Sequence, residues 1–185
     1  MQFLLFGIIA LGAALGLMYF SVRSAQRRLP PIVLPAGEKM PATVLQRLAA
    51  VTLAITLLFT IAAVAVVAYN GADVFWDNDT VRLTTTGLLL AALVAFAIYN
   101  GRVWRWTARD GGPLDERDRV ILAAAPAGQA PAMIVTLAAW MIGLTETYRS
   151  TQLIPSVFLY LIFWSLLMVS VLGLLAGVVM GYRRS

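Results

Sequence analysis

The sequence predicts an all-α membrane protein: a polytopic helical bundle with five transmembrane helices, its N-terminus outside and its C-terminus inside. Three observations carry that expectation. Charged residues are only 12% of the 185-residue chain, about half of the roughly 25% usual for a soluble domain, and mean hydropathy is +0.83. Several apolar runs reach the roughly 20 residues that cover the hydrocarbon core of a bilayer. The basic residues also crowd into alternate loops, the asymmetry that orients membrane proteins.

The first predicted span is 2–22. It has no preceding basic residue, which argues against a cleaved signal peptide with its positive leading region. A basic linker follows over 23–44, where Pro30, Pro31, Pro35 and Pro41 favour an extended path and Pro41 suits the first turn of the next helix. The remaining 45–185 forms a four-helix domain of two hairpins, 45–100 and 115–182. Its spans are 45–69, 81–100, 120–144 and 156–182. NGADVFWDNDT reads as a short acidic loop with turn chemistry at Asn70 and Gly71, and Asp79 or Thr80 is the expected cap of the helix after it. GRVWRWTARDGGPL reads as a basic loop, and Asp115 starts a helix whose first turn carries the negative charge that suits a helix dipole.

Orientation follows from the arginines and lysines. Arg23, Arg27, Arg28, Lys39, Arg47, Arg102, Arg105, Arg109, Arg117, Arg119, Arg183 and Arg184 share one side, and only Arg82 and Arg149 take the other. The basic side is therefore expected to be cytoplasmic, in a bacterial inner membrane. Tyr69, Phe75, Trp76, Trp104, Trp106 and Tyr148 fall near the expected boundaries, where amphipathic rings settle. The two hairpins both end in an aromatic-basic exit, YNGRVWR and GYRR, a likeness that shared membrane constraints alone produce and that a duplicated hairpin would also give.

Composition excludes several classes of function. There is no Cys and no His, which removes thiol chemistry, disulfides, the usual zinc sites and the commonest general base. The net charge of +5 fits membrane orientation, and no basic face with interleaved aromatics points to nucleic acid. No Asp, Glu, Lys or Arg lies at the centre of a predicted span, where proton relays and voltage sensors carry them. No phosphate-binding loop, nucleophile elbow, metalloprotease or dinucleotide motif occurs. The expectation is a protein without catalytic activity or cofactor.

Five features remain as candidate sites. The charge box Asp115, Glu116, Arg117, Asp118 and Arg119 reads first as a solvated helix cap at the membrane interface, with partner docking and metal binding as alternatives. Asp115 and Arg119 have the acid-first i,i+4 spacing, worth a few tenths of a kcal/mol. In AAAPAGQAPAM, Pro126 and Pro131 each delete a backbone hydrogen bond, so the helix should kink where protein can meet the freed carbonyls, with Gln129 bonded across the bundle. A broken helix lining a substrate pocket is the alternative. Gly173, Gly177 and Gly181 repeat at four-residue intervals, and Gly12 and Gly16 form a shorter repeat. Such stripes bring helix backbones together, either within the chain or between copies or partners. Thr52, Thr56 and Thr60 form a hydroxyl stripe suited to helix packing, with a hydrophilic pore lining as its alternative.

The run Asp115, Glu116, Arg117, Asp118, opening a helix that enters the membrane, resembles a group of small predicted integral membrane proteins of unknown function. In that group two transmembrane hairpins are joined on the inside by an Asp-Glu-Arg-acid box. The resemblance covers 47–184, including the closing GYRR, and leaves the first span as an addition. It implies a fold and no activity. The functional expectation is a non-catalytic accessory or structural membrane subunit, with the lipid bilayer, a second copy or a larger membrane complex as partner. A small transporter or channel for an uncharged solute or lipid is the alternative.

Overall fold

The computed structural model describes Phe20, Ser24 and residues 43–108, 114–151 and 153–182. Apart from Phe20, Ser24, Thr43 and Val44, the first predicted span with Gly12 and Gly16 and the proline linker lie outside the described residues, as do Arg109 and the closing Arg183 and Arg184. Within them every regular element is helical, and four helices are long and apolar enough to cross a membrane.

Helix α1 is Val44–Asn70. Thr43 caps it, its hydroxyl accepting from the Gln46 N–H at 3.1 Å, so one of the orphan donors of the first turn is satisfied. Gly71 ends it with φ +82°, a left-handed conformation that glycine adopts without steric cost, and its N–H reaches the Val67 carbonyl at 2.9 Å.

The acidic stretch after it is not the expected loop. It forms a six-residue helix α2, Ala72–Asp77, because Phe75 has a hydrophobic destination. Phe75 is fully buried among Leu144, Val157 and Phe158. Tyr69, by contrast, is 92% exposed.

Helix α3 is Asp79–Thr107. Its cap is Asn78, not Asp79 or Thr80: the Asn78 side-chain oxygen accepts from the N–H groups of Thr80 and Val81 at 3.0 and 3.3 Å, and Asp79 becomes the first helical residue. The helix also outruns the expected end at Asn100, carrying Arg102, Trp104 and Arg105 with it. Val103 and Trp106, packed in the core cluster at that end, hold these last turns in place.

The fourth span is interrupted. Helix α4, Glu116–Ala124, passes into a 3₁₀ turn over Ala125–Gly128 and then into helix α5, Gln129–Thr147. Pro126 sits at the start of the tighter turn, where its missing N–H is tolerated. Helix α6, Val157–Tyr182, closes the fold.

Helices α1 and α3 pack along each other as one hairpin, α5 and α6 as the second, and α6 also lies against α1, α4 and the 3₁₀ turn. Helix α6 is therefore the most enclosed of the four spans. Three apolar clusters run along the bundle. One joins Leu45, Tyr99, Ile121 and Leu175 at the end bearing Arg47 and Arg102, hereafter the basic end. A second centres on Ala63, Ala92 and Met168, and the third surrounds Phe75 at the far end. Outward faces remain apolar, with Leu58, Ile61, Val64, Leu83, Val94 and Ile134 exposed, a surface that suits lipid and not water.

Candidate functional site

At the basic end three helix termini meet on one carboxylate. Asp118 is 1% exposed, which corrects the expectation of a wholly solvated charge box. Its Oδ1 accepts from the Thr43 hydroxyl at 3.2 Å and from the Tyr182 hydroxyl. Its Oδ2 faces the Asp115 N–H at 3.4 Å, while Asp115 accepts from the Asp118 N–H at 2.7 Å. Asp115 and Asp118 thus form a reciprocal capping box at the start of α4.

Each member of this cluster serves a helix end. Thr43 caps α1, Asp115 and Asp118 cap α4, and Tyr182 is the last residue of α6. Arg117 adds a cation at the C-terminus of α6, where the helix dipole favours it. Its guanidinium donates to the Tyr182 carbonyl at 3.4 Å and lies 5.2 Å from the centre of the Tyr182 ring. A buried carboxylate is costly unless its lone pairs are occupied, and here hydroxyl and amide donors converge on it.

The rest of the box divides differently from its sequence spacing. Glu116 and Arg119 are exposed. No ion pair joins Asp115 to Arg119, because Asp115 is turned toward the Asp118 amide. Among the described residues no group of three acidic side chains is placed to hold a metal ion.

About two turns deeper along α4, the proline break meets the glycine stripe. A β-carbon built on Gly177 would lie 2.5 Å from the Ala125 carbonyl oxygen and 3.0 Å from its Cα, so α6 and the 3₁₀ turn touch backbone to backbone. Gly173 and Gly181 are buried on the same helix. Gln129, just past the turn, donates from Nε2 to the Ser170 carbonyl at 2.9 Å and to the Ser170 hydroxyl at 3.1 Å. Pro131 follows within the first turn of α5, where an absent N–H costs little.

Further bridges tie α6 to its neighbours. The Trp140 indole donates to the Ser165 hydroxyl at 2.8 Å, and the Thr86 and Tyr160 hydroxyls share a hydrogen bond. The threonine stripe contributes less across helices than its spacing suggests. Thr52 and Thr60 donate to carbonyls of their own preceding turns, at 2.8 and 2.7 Å, and the buried Thr56 hydroxyl has no partner among the described residues.

Thr43, Trp140, Ser165 and Ser170 were not singled out by sequence reasoning, and Tyr182 entered only as the aromatic residue of the closing GYRR. For Thr43 a signal existed, a threonine directly ahead of a long apolar run, which is a capping pattern. For the others nothing local distinguishes them from ordinary polar residues on apolar helices. No protein-family model matches the chain, and no match is found among curated proteins or solved structures.

Proposed function

We propose that this chain is an integral membrane protein of the accessory or structural kind, without catalytic activity, lying N-terminus out and C-terminus in. What supports this reading most is the use made of the buried polar side chains. Asp118, Thr43 and Tyr182 join helix ends, Gln129 and Ser170 join α5 to α6, and Trp140 and Ser165 repeat that link. A catalytic carboxylate has to reach its substrate, whereas Asp118 is enclosed by the helices it connects. The apolar exteriors of α1, α3 and α5 remain for lipid, a second copy or a larger complex.

The cysteine-free sequence offers a clean test. Single cysteines at the exposed positions Leu58, Val94 and Ile134 are introduced one at a time and oxidised in native membranes. The chain is then recovered in mild detergent and run on a native gel. A crosslinked pair, or a stoichiometric co-purifying protein, is the expected result. A monomer that crosslinks at no face and recovers nothing overturns the subunit reading.

A further inference from the structure

Helix α3 is longer than a bilayer core requires, and its surplus is charged. Its 29 residues extend about 43 Å at the rise of an α-helix, against roughly 30 Å of hydrocarbon. The apolar run ends near Asn100, so the turns that follow project into the headgroup layer. They present Arg102, Trp104 and Arg105, all exposed, with Trp104 at 71%. Val103 between them packs in the same cluster as Leu45 of α1. Arg47, exposed and two residues beyond Leu45 in the first turn of α1, lies at the same end of the bundle.

Among the described residues none of these three arginines forms an ion pair, whereas Arg82 at the far end of α3 pairs with Asp79 and donates to the Trp76 carbonyl at 2.9 Å. One end of α3 has its arginine satisfied within the protein. The other holds guanidinium groups outward, on helical turns just past the apolar run.

We infer that the projecting end of α3, with Arg47 beside it, is a seat for the headgroups of anionic phospholipids. A guanidinium fork matches two phosphate oxygens, and an exposed tryptophan one residue away anchors at the same level. The cytoplasmic leaflet, where the proposed orientation puts this end, is the anionic one. The inference rests on the membrane reading above and is independent of whether the chain assembles with a partner.

The test uses the full chain in mild detergent, mixed with equal amounts of phosphatidylglycerol and phosphatidylcholine and read by native mass spectrometry. The wild type is expected to retain phosphatidylglycerol preferentially. Replacing Arg102→Gln and Arg105→Gln together should lower that preference by roughly fivefold per arginine. Arg102→Lys with Arg105→Lys keeps the charge and loses the fork, so it should fall between the wild type and the glutamine pair, and Arg82→Gln should leave the preference unchanged. Circular dichroism in the same detergent should show equal helix content for all variants. If the glutamine pair misfolds, Arg47→Gln and the lysine pair decide the matter.

No preference in the wild type, or the same preference in the glutamine pair, overturns the inference. So does displacement of the lipid by millimolar inorganic phosphate, which would make the ligand a free anion. Failure of the chain to float with liposomes would strike the membrane reading itself.

Discussion

Gly177 of α6 and Ala125 of the 3₁₀ turn meet with no room for a side chain between them: a β-carbon on Gly177 would sit 2.5 Å from the Ala125 carbonyl oxygen. The obstructing atoms are backbone, so they yield only if the helices move apart. Gly177→Ala should therefore destabilise the chain by about 1–3 kcal/mol, the usual cost of overpacking, seen as a lowered thermal midpoint in detergent. Gly87 and Gly143 are the controls, because a β-carbon at either meets nothing within 4 Å. Gly87→Ala and Gly143→Ala should be neutral or stabilising by up to ~1 kcal/mol through helix propensity. Equal effects at all three positions would contradict the close approach.

Asp118 gives the second prediction. Asp118→Ala leaves the Tyr182 and Thr43 hydroxyls without their acceptor and removes half of the α4 capping box. Leaving buried polar groups unpaired costs about 1–3 kcal/mol each, so the loss should exceed that of Asp115→Ala, an exposed cap worth about 1 kcal/mol. Tyr182→Phe should reproduce part of the Asp118→Ala loss. Chemical unfolding in detergent, followed by circular dichroism, ranks the three. If Asp115→Ala proves the most damaging, Asp118 is not the centre of the cluster.

The cross-helix amide of Gln129 is expected to matter modestly. Hydrogen bonds between membrane helices contribute on average ~0.6 kcal/mol and at most ~1.7 kcal/mol. Gln129→Leu should fall in that range. Ser170→Ala should cost less, since the Ser170 carbonyl still accepts from Gln129. A double-mutant cycle of Gln129 and Ser170 should return a coupling energy distinguishable from zero. Zero coupling would mean that the contact between Gln129 and the Ser170 hydroxyl is not formed, since Ser170→Ala leaves the bond to the Ser170 carbonyl in place.

What could be read in advance divides by range. The four apolar helices, the turn at Gly71, the Asp115 start and the proline break all depend on residues within a few positions of one another, so periodicity and punctuation expose them. The burial of Asp118 does not, because its partners Thr43 and Tyr182 lie 75 and 64 residues away. Local spacing instead favoured a pairing of Asp115 with Arg119, which the capping box displaces. The α3 extension was hidden for a similar reason. GRVWRW looks like a basic loop until Val103 and Trp106 are seen packed against the core. The burial of Phe75 is likewise non-local, because Leu144, Val157 and Phe158 of its hydrophobic cleft belong to α5 and α6. The hydroxyl bridges to Ser165 and Tyr160 carried no local signal at all.

The arrangement of ends makes the last prediction. Helix α3 ends and α4 begins at the basic end, while α2 and the turn between α5 and α6 lie at the other. Asp77, Ser150, Thr107 and Glu116 are all exposed, and with no native cysteine a single introduced thiol reports one position. In right-side-out vesicles a membrane-impermeant maleimide should label Asp77→Cys and Ser150→Cys. Thr107→Cys and Glu116→Cys should react only after permeabilisation, as the excess of arginine at their end requires. The opposite pattern would reverse the proposed orientation while leaving the crossing intact. Labelling of all four from outside would mean that these helices do not span the bilayer, and the buried cluster at Asp118 would then have to be explained as the core of a surface-bound protein.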